Sequence, residues 1–175
     1  MAAQPTTSQH SGTTIWSALP TAVRTYYAGK GIADLYPWQH ECLSLPHVQR
    51  NGNLIYCLPT SGGKTLVAEL LALKTMLNEP RKDVLFLLPY VSLVHEKVNA
   101  LKPLAAVVDI AVELYAGPYG RYPPLTRQGR NSIYIATPEK AKAIVTTLIE
   151  GGKLNRLGLL IVDELHMLGM SLVPT

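Results

Sequence analysis

Asn53-Leu54-Ile55-Tyr56-Cys57-Leu58-Pro59-Thr60-Ser61-Gly62-Gly63-Lys64-Thr65 decides the fold of this chain. The first six residues are mostly apolar and read as a buried strand. The last two open a run over residues 64–77 in which Leu66, Leu70, Leu73 and Leu77 fall along one side of a helix. A turn containing Thr60, Ser61, Gly62 and Gly63 between strand and helix has the order of a phosphate-binding loop. Gly62 and Gly63 let successive backbone N–H groups close around an anion, which the positive end of the following helix also attracts. From Lys64 an ammonium reaches the β and γ phosphates of a nucleotide, and the Thr65 hydroxyl suits Mg2+, a hard cation that prefers oxygen. A glycine-rich helix cap would explain Gly62 and Gly63 but not Lys64-Thr65 directly after a buried strand. The generic loop carries Gly where Leu58 stands, so this is a variant.

Outward from this stretch the chain alternates. Residues 83–88 are nearly all apolar, as a parallel strand covered on both faces requires, and 91–101 form the next helix. Residues 107–114 are a strand candidate, and 117–129, rich in Pro, Gly and Arg, form a loop. A strand at 133–136, a helix at 138–149 ended by Gly151-Gly152, and an apolar strand at 157–162 follow. Strands alternating with helices predict an α/β fold with a parallel sheet and helices on both faces. Upstream, residues 1–17 read as a flexible polar tail, a short helix follows Leu19-Pro20, and a second spans 38–45, closed by Pro46, with Trp38, Cys42 and Leu45 on one face.

The strand at 157–162 runs directly into Asp163-Glu164, at the carboxyl end where open α/β sheets place ligands. There a carboxylate near Thr65 holds Mg2+, directly or through water, and its neighbour accepts a proton from attacking water. Asp163 is assigned to the metal, and Lys64 and Glu164 to catalysis, with Glu164 as the base. Acidic residues also cap helices, and on their own these two would read equally well that way.

Bulk properties set the bounds. At 175 residues, 47% hydrophobic and 16% charged, the chain suits one folded domain. The 16 Lys and Arg against 12 Asp and Glu give +4, a lean toward polyanionic partners without dense basic runs. Cys42 and Cys57 lack zinc-ligand spacing, no metal cluster is expected, and Cys57 reads as a small buried packing residue. No apolar stretch reaches the ~18 residues of a membrane span. The first 33 residues lack Asp and Glu, loosely like a mitochondrial transit peptide, but Arg24 and Lys30 are their only Lys or Arg.

Taken in order, Trp38-Gln39, the 59–65 loop, Leu88-Pro89-Tyr90-Val91-Ser92, Thr137-Pro138-Glu139-Lys140 and Asp163-Glu164-Leu165-His166 resemble superfamily-two DNA and RNA helicases of the Ski-like group, over residues 18–169. Leu35-Tyr36-Pro37-Trp38-Gln39-His40 and the stretches 58–65 and 163–169 look like helicases related to the helicase part of DNA polymerase theta. The resemblance implies a RecA-like domain over residues 18–175 that binds ATP and Mg2+. It further implies a nuclear enzyme moving 3′ to 5′ on single-stranded or forked DNA during replication-linked repair.

The same resemblance implies that Gln39 reads the adenine edge, a task suited to an amide that both donates and accepts. It turns 89–97 and 137–140 toward nucleic acid, with Ser92 and Thr137 as phosphate-holding candidates. His166 would sense nucleotide state. Arg121, Arg127 and Arg130, interleaved with Tyr122, either extend that surface or form a solvated loop.

Twelve residues follow Asp163, where the family pattern continues into a second RecA-like domain carrying arginine fingers. Loss of arginines supplied in trans costs ~10³-fold or more in related hydrolases, so the 175 residues alone are expected to hydrolyse little and unwind nothing. Two other readings compete: a non-catalytic nucleotide- or partner-binding product, and a small-molecule kinase, which leaves Gln39 and 163–166 without a purpose.

Overall fold

Four strands, β1 (Asp83–Leu87), β2 (Ala111–Tyr115), β3 (Ser132–Ala136) and β4 (Leu157–Val162), pair in parallel in the order β2-β3-β1-β4. They belong to a computed structural model that describes residues 15–59, 62–124 and 130–165. Parallel neighbours need long crossovers. Helix α6 (Val91–Val107) links β1 to β2, and α7 (Pro138–Glu150) links β3 to β4. Upstream lie α1 (Ile15–Ala18), α2 (Thr21–Gly29), α3 (Pro37–Ser44), α4 (Pro46–Gln49) and α5 (Lys64–Asn78).

Strand alternation distributes the core to both faces. Val84, Phe86, Ile133 and Ile135 join the buried faces of α2, α5 and α6, whereas Leu85, Tyr134 and Ala136 meet Ala141, Ile144 and Leu148 of α7. The result is the expected three-layer α/β arrangement, built around a parallel sheet.

Two buried polar clusters pin the layers. Glu69 of α5 accepts from Tyr27 of α2 at 3.2 Å and pairs with Lys97 of α6 at 3.1 Å. The Lys97 ammonium also sits 4.9 Å from the Phe86 ring centroid. Burial, reinforced by Glu69, pushes the Tyr27 phenol well above its ordinary range, so it stays a neutral donor. At the amino end of the sheet, buried Asp83 accepts from the Ser132 N–H, the Tyr134 hydroxyl and Arg156 at 2.8, 3.0 and 3.1 Å.

Several local expectations change. Residues 53–58 form no strand of the sheet: their burial alternates, Ile55 is 88% exposed, and only Leu54 and Tyr56 pack on the core. Cys57 is therefore exposed, not a buried packing residue, while Cys42 is buried. Helix α6 continues through Pro103 to Val107, so β2 starts at Ala111 instead of Val107. Pro46 starts α4 as well as closing the preceding helix, in keeping with proline at a first helical position. Leu77 is 38% exposed, off the buried side shared by Leu66, Leu70 and Leu73. Ile15 and Trp16, assigned to the tail, are buried in α1, where Trp16 meets Tyr27 at 5.8 Å between ring centroids; the rest of the expected tail up to residue 14 lies outside the described residues.

Removing one partner of a buried ion pair strands the other charge. Glu69→Ala is expected to lower unfolding stability by about 3–5 kcal/mol, measured by urea denaturation. A loss under ~1 kcal/mol, typical of surface pairs, would show that this pair does not fasten α5 to α6.

Candidate nucleotide site and nucleic-acid edge

Parallel pairing sends every strand out at one edge, and the chemistry collects there. The Asp163 N–H bonds Leu87 O at 3.1 Å, extending the β1–β4 ladder one residue past Val162 and fixing Asp163 at the carboxyl edge. Helix α5 starts at the same edge. Near its far end, Thr75 lies so close to Gly158 that an added Cβ would stand 2.9 Å from its methyl group. Lys64 is about 16 Å back along the helix at ~1.5 Å per residue. Asp163 is about 16 Å up the strand from Gly158 at ~3.3 Å per residue. Both legs return to the same level.

Tyr56 closes the link. Its hydroxyl donates to Lys64 O at 2.9 Å, and burial, with the Asp163 carboxylate as the next cause, raises its phenol above the ordinary range. The start of α5 and Asp163 are thus both within reach of the Tyr56 side chain. No sequence signal marked Tyr56 for this position, whereas Gly158 was passed over although a glycine inside an apolar strand is a recognised sign of close backbone approach.

The loop itself is engaged with its own backbone. Gly63, the residue before α5, has φ +78°, and an added Cβ would stand 2.7 Å from Gln39 Nε2. The Lys64 ammonium donates to Leu58 O at 2.7 Å and Pro59 O at 3.2 Å. Gln39 is 1% exposed. It accepts from the Tyr36 N–H at 2.8 Å and donates to Gly63 O at 3.0 Å, so both ends of its amide join α3 to the loop. Thr65 is exposed in the first turn of α5; Thr60 and Ser61 lie outside the described residues.

Glu164 adopts φ +52°, and its N–H donates to Asp163 Oδ1 at 3.0 Å. Left-handed backbone at a non-glycine residue is unusual and clusters at functional sites. The oxygen donors present, a Thr hydroxyl and an Asp carboxylate at one sheet edge, fit Mg2+, which takes one or two protein oxygens and completes its shell with phosphate and water. Among the described residues, no cluster of three or more His, Cys, Asp or Glu could hold a metal ion.

The other candidates spread along the same edge. Ser92 is exposed in the first turn of α6, which follows β1, and Thr137 caps α7 after β3 with 5% exposure. Thr137 donates its N–H to Tyr115 O at 3.1 Å, tying that turn to the end of β2. Arg121 is exposed beside Tyr122, but Arg130 is not with them. Its guanidinium bonds Asp109 O and Ile110 O at 3.1 and 3.3 Å and pairs with Asp109 at 3.2 Å, before β2 and β3 begin. Arg121 follows the end of β2 and Arg130 precedes the start of β3, so Arg130 sits at the opposite edge. Arg127 and His166 lie outside the described residues.

Gly63→Ala places an L side chain at a positive φ, at about 1–2 kcal/mol, and forces the Gln39 amide aside. Gly62→Ala meets only Pro59 O at 3.1 Å. In urea unfolding Gly63→Ala is expected to lose at least ~1 kcal/mol more than Gly62→Ala. Equal losses would show that the left-handed cap is dispensable.

The DEAD/DEAH box helicase family matches residues 36–172. Helicase POLQ-like of Homo sapiens is 54% identical over 153 residues, 87% of this chain and 14% of that protein. DNA polymerase theta of Mus musculus is 46% identical over 156 residues, 87% of this chain and 6% of that protein. The crystal structure of DUF1998 helicase MrfA overlays with TM-score 0.69 and 22% identity, over 85% of this chain and 24% of that one, a likeness of fold. This chain thus spans a small part of its curated relatives' length. A parallel sheet flanked by helices, with the phosphate loop and acidic pair at one edge, is a RecA-like domain, and the chain belongs to the DEAD/DEAH box helicases of superfamily two, similar to the POLQ-like helicases.

Proposed function

We propose that this chain is the ATP-binding first motor domain of an ATP-dependent helicase that moves 3′ to 5′ along single-stranded DNA and opens duplexes. The observation that carries the reading is the convergence of Lys64, Thr65, Asp163 and Glu164 on one sheet edge, with Tyr56 between α5 and the acids. The RecA-like domain covers residues 18–175, with Ile15 and Trp16 of α1 packed onto its core, and a second RecA-like domain faces this edge in the working enzyme. DNA as the substrate is supported by the relative DNA polymerase theta, and 3′ to 5′ movement, a role in DNA repair and a nuclear location are what the Ski-like resemblance implies.

In this proposal the N–H groups of Gly62 and Gly63, with Thr60 and Ser61, cradle the triphosphate at the positive end of α5. Lys64 exchanges its two carbonyl partners for the β and γ phosphates, trading neutral acceptors for charged ones that bond more strongly. Thr65 and Asp163 hold Mg2+, which neutralises charge on the transferring phosphoryl group. Glu164 takes the proton of the attacking water. Gln39 contributes an amide to the adenine edge on leaving Gly63 O, so recognition of the base and release of the loop draw on the same side chain. Ser92 and Thr137 hold phosphates of the nucleic acid at the starts of α6 and α7.

A binding module without turnover is the second reading. It is favoured by the Lys64 ammonium resting on Leu58 O and Pro59 O. Calorimetric titration with ATP·Mg2+, followed by turnover with and without single-stranded DNA, separates the two. Lys64→Ala is expected to weaken ATP binding about 10- to 100-fold, as the loss of a charged hydrogen-bonding partner implies. Glu164→Gln should leave binding unchanged and slow turnover about 10²- to 10⁴-fold. The 175-residue chain assayed alone is expected to turn over ~10³-fold or more below a two-domain helicase. Unchanged binding by Lys64→Ala would remove the phosphate-loop assignment, and efficient DNA-stimulated turnover by this chain alone would overturn the need for a second domain.

A further inference from the structure

The segment after β2 is a built platform. Tyr115, 1% exposed, has its one hydroxyl proton shared between Glu113 Oε2 and Arg121 O, both at 3.1 Å, and its ring meets those of Tyr122 and Tyr134 at 5.6 and 5.7 Å. Gly120, at φ +123°, crosses so close over this ring that a Cβ would stand 2.6 Å from Tyr115 Cδ1; only glycine fits. Tyr119 is held by its N–H bond to Ala116 O at 3.0 Å and packs edge-to-face on His95 of α6, 5.7 Å between centroids and 82° between planes. Yet its side chain remains 52% exposed. The ring is thus held by its neighbours and open to solvent at once, a pre-ordered aromatic surface.

We propose that Tyr119, backed by His95, is a stacking seat for one unpaired base of a single-stranded nucleic acid. This deepens the helicase reading and rests on it. The surroundings suit a polyanion with flat bases. Ser92 stands exposed at the start of α6, whose positive end attracts phosphate, one turn before His95. Tyr90, which precedes α6, is itself 50% exposed. Arg121 lies two residues along the platform, and the Lys140 ammonium sits 5.8 Å from the Tyr122 ring. Here rings alternate with cations, the combination that binds bases by their faces and phosphates by their charge. The seat lies beyond β2, three strand spacings of ~4.8 Å from β4. A base there and a triphosphate beside Asp163 occupy opposite ends of one edge.

The test uses fluorescence anisotropy with the full 175-residue chain, labelled oligo-dT, and an abasic strand of equal length and charge. Tyr119→Ala is expected to weaken oligo-dT binding about 5- to 100-fold, the range for one stacked base, and to leave abasic binding unchanged. Tyr119→Phe should bind like the parent chain, and Tyr119→Trp should lose indole fluorescence as oligo-dT is added but not as the abasic strand is added. An unchanged affinity for Tyr119→Ala, or an equal loss on both strands, overturns the seat while leaving nucleic-acid binding standing. A parent chain that binds neither strand overturns the nucleic-acid reading and the seat together. Preferential binding of an apolar peptide to the parent chain but not to Tyr119→Ala would reassign the platform to a protein partner and overturn the proposal.

Discussion

Everything functional in this chain depends on the parallel pairing of β4 with β1. The ladder from Val84–Leu159 to Leu87–Val162, continued by the Asp163 N–H to Leu87 O, fixes how far the acidic pair projects. Its close contact with α5 at Gly158 fixes where Lys64 stands. A slip of one residue would turn the apolar faces of β4 over and move the carboxylates with them. The amino-edge cluster around Asp83, which draws in Ser132, Tyr134 and Arg156, holds the same strands from below. Register here is therefore part of the chemistry, because a nucleotide site assembled from a helix start and a strand end has no other ruler.

Much of this was legible in the residues. A run as apolar as 84–88 sits between two covering layers in a parallel sheet, the apolar run at 157–162 is a strand covered on one face only, and the helix from Lys64 announces itself by Leu66, Leu70 and Leu73. The failures have physical causes. Apolarity at 53–58 says that some side chains are covered but names no partner strand, and here only Leu54 and Tyr56 are packed. Val107 and Val108 suit a helix end as well as a strand start, so β2 was placed too early. Arg121 and Arg130 look adjacent in sequence, but one follows the end of β2 and the other precedes the start of β3, at opposite edges of the sheet. Gln39 shows a different limit: residue type reveals what an amide is able to bond, and only the fold shows that Tyr36 and Gly63 hold both its ends.

The nucleotide end and the tyrosine platform share a construction principle. In each, a glycine at positive φ brings backbone against a side chain that a Cβ would displace: Gly63 against Gln39, Gly120 against Tyr115. Each contact fixes a neighbour proposed to take part in recognition, Lys64 in one case and Tyr119 in the other. Rigid anchoring lowers the entropy lost on binding, because the groups that meet a ligand have already been ordered by folding.

The outer face of β4 has its own consequence. It is the last strand in the order, and Leu160 and Val162 are 51% and 36% exposed, with Ile55 bare as well. An apolar border strand of this kind is a template on which another molecule's extended backbone lays down a further strand. The purified 175-residue chain is therefore expected to self-associate through this border as its concentration rises.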